Sequence, residues 1–422
     1  MAAMAATQLS HVYPMGTRLD ARGRLQVGGC DVIELARGFG TPAYVVAEDD
    51  LRARARAFRA AMAARHHDFD VLFASKAFPC AAAFRVMAQE DLGCDVASGG
   101  ELHLALLGGM EPVRIHLHGN AKSVDELRLA REVGVGHVVI DGLDEIERLA
   151  RVVGDGPPQR VLVRVTPGVK PSTHDFISTG QLDSKFGLAV DDTRVAIERV
   201  QETGALELAG LHVHLGSQIF ELEPFHRAVE AISHLGDFDT YNLGGGLGVA
   251  YTAGDEPPSI ESYVEAKVSA VHEVLGPGKR IVIEPGRALV ANAGITLYSV
   301  ISVKRGLSTY VAVDGGMSDN LRPMLYGSVY EATIADRVGS GGELCHVAGK
   351  HCESGDVIVH DVHLHDPRPG DVLVTPVTGA YGHAMANNYN GVPRPPVVLC
   401  AGGRARAVVR RETYEDLHAR DV

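Results

Sequence analysis

Arg114-Ile-His-Leu-His118-Gly-Asn-Ala-Lys-Ser123-Val-Asp-Glu-Leu-Arg-Leu-Ala-Arg-Glu-Val133-Gly-Val-Gly-His137-Val-Val-Ile140 reads as one complete structural unit. A short apolar run, Arg114–Leu117, predicts a strand. Ser123 can cap the free amides of a first turn, and Ser123–Val133 carries apolar residues at helical spacing. A second β-branched run, His137–Ile140, follows at once. Strand, helix and strand in this order predict two parallel strands with the helix laid across them.

The same alternation extends in both directions. Strand candidates lie at Val71–Ala74 and Cys94–Ala97 before this stretch, and at Val161–Val165, Leu208–His214, Thr240–Leu243 and Arg280–Ile283 after it. Helical spacing recurs at Asp49–Arg65, Ala81–Glu90, Asp144–Val152, Asp192–Glu202, Pro224–Leu235 and Ile260–Leu275. Eight strands with covering helices can close into a (β/α)8 barrel. An open, doubly wound sheet is the alternative that the same pattern permits. From about Ala288 onward the helical spacing fades, and Ile295–Lys304, Thr309–Val313, Asp356–Val362, Asp371–Thr375 and Pro396–Leu399 read as strands between Pro and Gly turns. The expectation is an α/β barrel over 47–286 and an all-β domain, sandwich-like or barrel-like, over 287–422, with the segment 1–46 contributing to the β domain.

A chain of 422 residues is too long for one ordinary core, which agrees with two domains. Forty Lys and Arg against 53 Asp and Glu leave a net charge of −13, which argues against nucleic acid or an anionic membrane as partner. Met1–Asp20 lacks a basic segment followed by an apolar one, and no stretch reaches the roughly 18 apolar residues of a membrane span, so a cytoplasmic location is expected. Cys30, Cys80, Cys94, Cys345, Cys352 and Cys400 form no C-x-x-C pair, and neither a disulfide framework nor a zinc cluster is indicated. The 48 glycines fall singly or in short groups, as turns do.

In a barrel the chemistry gathers at the C-terminal ends of the strands. Strand one runs into Ser75-Lys76, strand three into His118-Gly-Asn120, strand six into His212-Val-His214 with Gly216-Ser217-Gln218, strand seven into Gly244-Gly245-Gly246, and strand eight into Glu284-Pro-Gly-Arg287. A lone strand-end lysine is ordinarily a surface residue with an apolar stem. Lys76, however, is flanked by Phe73, Ala74, Ala77 and Phe78, an apolar neighbourhood that would lower its amine pKa and leave it nucleophilic toward an aldehyde.

Gly244–Gly246 could be only a flexible turn. After a strand, its amides could also form a nest for phosphate, with Gly216-Ser217 adding a hydroxyl. Glu284 and Arg287 could simply pair with each other. Facing a pyridine nitrogen, though, Glu284 would keep that nitrogen protonated, and Arg287 could serve an anion. The pairs His116/His118 and His212/His214 keep a metal-dependent barrel hydrolase open, because residues i and i+2 of a strand share one face. In the β domain, Cys352-Glu353-Ser-Gly-Asp356 and Gly379-Ala-Tyr381-Gly382 read as two loops with a buried thiol, or as a thiol able to return a proton to carbon.

Taken in chain order, ten motifs carry a resemblance. They are Phe73-Ala-Ser-Lys76, Gly93-Cys-Asp-Val-Ala-Ser-Gly-Gly-Glu101-Leu102, His118-Gly-Asn-Ala-Lys-Ser123, Ser178-Thr-Gly-Gln181 with Asp183-Ser-Lys-Phe-Gly187, His212-Val-His-Leu-Gly-Ser-Gln218, Gly244-Gly-Gly246, Glu284-Pro-Gly-Arg287, Arg322-Pro-Met-Leu-Tyr326, Cys352-Glu-Ser-Gly-Asp356 and Gly379-Ala-Tyr-Gly382. The chain resembles, over nearly its whole length, the fold-type III pyridoxal-phosphate (PLP) decarboxylases and within them the diaminopimelate decarboxylase family. His351 before the cysteine, and Ala121 where Asn is often seen, are small departures.

The resemblance implies pyridoxal 5'-phosphate held as a Schiff base on Lys76, with His214 stacked on its ring and Glu284 facing the pyridine nitrogen. It implies phosphate against Ser217, Gly244, Gly245, Gly246, Arg287 and Tyr381, with Gly286 in the same cofactor set. Arg287, Arg322, Tyr326, Glu353 and Tyr381 would hold an amino-acid substrate, and Cys352 would return the proton across the interface of a homodimer. The family's substrate, meso-2,6-diaminopimelate, carries a distal ammonium and a distal carboxylate, and Glu353 and Arg322 supply the opposite charges. Ornithine and lysine decarboxylases usually carry Asp after the cysteine, so decarboxylation of another diamino acid is the alternative. A non-catalytic binding protein of the same fold is a further one, against which Lys76 and Cys352 both argue.

Overall fold

A computed structural model describes residues 9–169, 184–339 and 341–422. The expected motif at 178–187 therefore lies mostly outside the described residues. By compactness the chain forms two units, Arg52–Gly248 with Pro257–Leu289, and Met1–Leu51 with Val249–Glu256 and Val290–Val422.

The first unit is a closed barrel of eight parallel strands: β1 (Phe69–Ala74), β2 (Gly93–Val96), β3 (Ile115–Leu117), β4 (His137–Ile140), β5 (Gln159–Val165), β6 (Leu206–Val213), β7 (Thr240–Asn242) and β8 (Arg280–Ile283). Closure comes from Ile281, Val282 and Ile283 of β8 pairing with Phe69, Asp70 and Val71 of β1, which removes the open-sheet alternative. Most residues of these strands are buried, as expected where helices cover one side and side chains fill the other. The helix Val124–Val133 opens on Ser123, whose hydroxyl accepts from Glu126 N while the Glu126 carboxylate accepts from Ser123 N. That reciprocal cap satisfies two amides the helix cannot satisfy itself. Its Leu127 and Ala130 are buried, and a fully buried leucine stabilises the fold by roughly 1.5–3 kcal/mol. Gly210 sits at a bulge in β6, where a Cβ would lie 1.8 Å from the Thr240 carbonyl oxygen, so only glycine lets β6 and β7 approach.

The second unit is built around β9 (Gly294–Arg305), a 12-residue strand. Its first half pairs antiparallel with the strand Ala43–Ala47 and with β13 (Val372–Pro376), and its second half with β10 (Thr309–Val313). The sheet continues through β11 (Glu343–Ala348) to β12 (Val357–Leu364), and on the other side from Ala43–Ala47 through β14 (Val397–Ala401) to β15 (Arg404–Val409). Ala43–Ala47 is thus an interior strand, and all five of its residues are buried.

Candidate active site

Three barrel strands deliver side chains to one carboxylate, which a fourth strand carries. Glu284, directly after β8, accepts from His118 Nε2 at 2.9 Å and Asn242 Nδ2 at 2.7 Å on Oε1, and from His212 Nε2 at 3.0 Å on Oε2. Burial opposes its ionisation, but the adjoining His118 and His212 hold its carboxyl well below the usual range. Burial pushes His212 down to about 4, so near neutral pH it serves as an uncharged N–H donor. The result is a buried carboxylate kept ionised by hydrogen bonds inside the barrel.

The two His-x-His pairs do not act as pairs. His118 and His212 converge on Glu284, and their ligand atoms with the Glu284 oxygen lie within 4.8 Å of one another. That spacing would suit a metal, but here the imidazoles serve as donors to the carboxylate. His116 instead packs on His137, ring centroids 4.5 Å apart, and His214 Nδ1 accepts from Gly245 N at 3.2 Å. Burial, then the Lys76 and Arg164 charges, pushes His214 well below the ordinary histidine value.

Lys76 lies in the turn Ser75–Ala77 that ends β1. The expectation that its apolar flanks enclose the amine is corrected. Phe73, Ala74, Ala77 and Phe78 are buried, yet Lys76 is exposed. Both faces of a barrel strand are buried, so apolar flanks report packing around the backbone and not the direction of the lysine. The amine has charged neighbours instead. Asp95, one strand over on β2, is raised well above the carboxylate range by burial and then by Glu284, with Lys76 acting in the opposite sense.

Gly244–Gly246 follows β7, with Gly244 at φ 60. A Cβ there would lie 2.6 Å from Val213 O, and one on Gly245 would lie 2.3 Å from Glu284 O. Beside the turn, the buried Arg287 donates to Ser217 Oγ from Nη2 at 2.9 Å and from Nε at 3.2 Å. Gly286 passes so close to β1 that a Cβ would lie 2.9 Å from that of Ala74. A side-chain-free turn, a hydroxyl and a buried guanidinium make a donor set that fits a phosphate, and the ionised Glu284 fits a protonated pyridine nitrogen.

In the second unit, Arg322 is 5% exposed and donates to Tyr330 OH at 3.0 Å and Ser328 Oγ at 3.1 Å. Its guanidinium carbon lies 5.4 Å from the ring centroids of Tyr251, Tyr326 and Tyr381 alike. Tyr381 adopts φ 64, a left-handed conformation costly for a bulky residue and typical of functional sites. Cys352 is exposed, unlike the other five cysteines, so the buried-thiol reading fails. Its amide donates to Asn390 Oδ1 at 2.9 Å, and Glu353 beside it is exposed as well. Asp356 ties this loop down by accepting from His351 N at 2.9 Å, His351 Nδ1 at 2.8 Å and Met317 N at 2.7 Å.

Sequence reasoning missed Asp95, Asn242, Tyr251, Ser328 and Tyr330. Asp95 stands inside a motif quoted above. The others carry no local signal, because each acts through a partner distant in the chain or only through its own side-chain contact.

Comparison with known proteins adds an independent line. Residues 48–291 match the family model described as "Pyridoxal-dependent decarboxylase, pyridoxal binding domain". The chain is 48% identical to a diaminopimelate decarboxylase of Actinosynnema pretiosum subsp. auranticum, covering 97% of this chain and 95% of that protein. It is 45% identical to that of Bacillus subtilis, covering 96% and 97%. Among solved structures it is similar to the diaminopimelate decarboxylase of M. jannaschii in co-complex with L-lysine, with a TM-score of 0.90, 32% identity and coverage of 96% and 97%.

Proposed function

We propose, for a chain that belongs to the diaminopimelate decarboxylase family of the pyridoxal-dependent decarboxylases, that it converts meso-2,6-diaminopimelate to L-lysine and CO2. The observation that carries this reading is Glu284, held ionised by His118, His212 and Asn242 inside the barrel that bears Lys76. PLP, when bound, supplies the electron sink that accepts the charge left on the α-carbon as CO2 departs.

The chain's own residues do the rest. Lys76 offers the amine that holds the cofactor, and His214 the ring that stacks on it. Gly244–Gly246, Gly286, Ser217, Arg287 and Tyr381 would hold the phosphate. Glu284 keeps a proton on the pyridine nitrogen. Arg322 and Tyr326, with Arg287 and Tyr381, bind substrate carboxylate. Glu353 binds the distal ammonium, and Cys352 holds the proton that replaces the carboxylate.

Cys352 and Glu353 are exposed. We assign them to the active site of a second copy, in a homodimer. The domain limits 47–286 and 287–422 and a cytoplasmic location belong to the same proposal. Among the described residues no helix is long and apolar enough to cross a membrane.

The test is product analysis with meso-diaminopimelate, L-ornithine and L-lysine supplied separately to the PLP-loaded protein. L-lysine formed from meso-diaminopimelate at a kcat/KM at least 100-fold above either competitor is expected. Preferential release of putrescine or cadaverine would move the assignment to the alternative branch.

A further inference from the structure

The helix Ile260–Val274 carries a lysine with no exposed surface at all, Lys267. Its Nζ donates to the carbonyl oxygens of Leu243 at 2.7 Å, Gly244 at 2.7 Å and Gly245 at 3.2 Å. Three acceptors match the three N–H bonds of an ammonium, whereas a neutral amine has only two. The faces of Phe225 and Tyr263 lie 4.7 and 4.6 Å from the same nitrogen, as cation–π partners do. Burial pushes the amine well below the ordinary lysine value, and the Glu284 charge acts the other way. A buried ammonium with no carboxylate in hydrogen-bond contact is costly, and such a cost is retained where it fixes something.

What it fixes is the direction of three consecutive peptide planes. In a trans peptide the N–H points opposite to the C=O. With the carbonyls of 243, 244 and 245 drawn to Lys267, the amides of 244, 245 and 246 are turned away from it. Gly244 N then donates to Asn242 Oδ1 at 3.0 Å and Gly245 N to His214 Nδ1 at 3.2 Å, which leaves the Gly246 amide for a ligand. Tyr263 OH reinforces the arrangement through Gly244 O at 3.4 Å.

We propose that Lys267 is a positioning residue for phosphate: from behind the glycine turn it fixes the peptide planes so that the Gly246 amide, the one not taken up by Asn242 or His214, is offered to the cofactor's phosphate, and it sets a buried positive charge behind the turn. This rests on the reading of Gly244–Gly246 as the phosphate cradle. Through Gly245 N and His214 Nδ1 the same residue also steadies the ring proposed to stack on the cofactor.

The experiment compares equilibrium binding of PLP and of pyridoxal, which lacks the phosphate, to the unmodified protein and to Lys267→Met, by absorbance titration. Equal binding of both compounds to the unmodified protein would remove the phosphate cradle itself, and the inference with it. If the unmodified protein prefers PLP, Lys267→Met is expected to weaken PLP by about 10- to 100-fold, the size of a lost charged hydrogen-bonding group, and pyridoxal by less than about twofold. Equal weakening of both compounds, or of neither, would overturn the positioning role. Lys267→Gln, which keeps a donor without the charge, is measured alongside and should fall between. Failure of both variants to fold would mark Lys267 as a general folding element and likewise overturn the proposal.

Discussion

Nε2 of His212 lies 3.0 Å from Oε2 of Glu284, and near neutral pH their surroundings keep both groups deprotonated: the imidazole neutral, the carboxylate ionised. It is the ionised carboxylate that matters for the hydrogen bonds, because a protonated carboxyl would turn one of its accepting oxygens into a donor facing an imidazole N–H. Glu284→Gln keeps the shape but turns an acceptor oxygen into an NH2 facing an N–H. Decarboxylation is expected to slow by roughly 100- to 1,000-fold, the size of a lost charged partner in a preorganised site. Single-turnover CO2 release measures it, and a loss under about threefold would remove Glu284 from the proposed role.

His137 gives a prediction about acid stability. Burial, then the charges of Arg160 and Arg280, pushes it from 6.5 down to about 4, and neither ring nitrogen has a hydrogen-bond partner among the described residues. With the folded value below the unfolded one, the unfolded chain takes up the proton first as pH falls. Its contribution is therefore intact above about pH 6.5 and lost between there and about 4. In His137→Phe the fall in unfolding free energy between pH 7.5 and pH 5 should be smaller by about 2 kcal/mol. Urea denaturation at the two pH values measures it, and an unchanged fall would contradict the assignment.

Gly245→Ala places a Cβ 2.3 Å from the Glu284 carbonyl oxygen, a backbone atom that cannot swing aside. The turn must shift, and PLP affinity is expected to fall by about tenfold or more. Gly278, which has nothing within 4 Å of an added Cβ, serves as the control, and Gly278→Ala should leave affinity unchanged.

The homodimer is tested by mixing. Lys76→Ala and Cys352→Ala should each be nearly inactive alone. If Cys352 serves the site of the partner copy, random reassortment makes about half the dimers mixed, each with one intact site in two, so about a quarter of parental activity should return. No recovery after verified subunit exchange would place Cys352 in its own chain's site.

Arg322 differs from the surface arginines in being buried among Tyr251, Tyr326, Tyr381 and Tyr330. Arg322→Lys keeps the charge but loses the planar fork that stacks and donates in two directions. KM for meso-diaminopimelate should rise by roughly 100-fold with a smaller change in kcat. Initial-rate kinetics separate the two, and an unchanged KM would contradict carboxylate binding.

The barrel was legible because each strand is a short β-branched run closed off by Gly, Asp or Ser and followed by helical spacing. His137–Ile140 and Arg280–Ile283 match their expected limits residue for residue. Glu343–Ala348 and Arg404–Val409 were missed, since the first has no regular apolar alternation, the second alternates arginine with alanine, and little of either strand is buried. Ala43–Ala47 gives no sign of the strands it joins, Gly294–Arg305 and Val397–Ala401, which follow far along the chain.

At the site, the strand-end motifs marked Glu284, His214 and the glycine turn. The convergence of His118, His212 and Asn242 on one carboxylate depends on closure of the barrel and appears in no local stretch. Lys76 shows the converse limit: its chain neighbours are apolar and buried, yet the residue is exposed and its charge acts on Asp95 and His214.

The most direct test of the central claim is the absorbance spectrum of the purified protein with PLP, followed by CO2 release on adding meso-diaminopimelate, with Lys76→Ala beside it. The account expects a yellow band that is absent or shifted in Lys76→Ala, and CO2 from the unmodified protein alone. A protein that stays colourless with added PLP, or a Lys76→Ala variant with the same band and the same CO2 release, would contradict it.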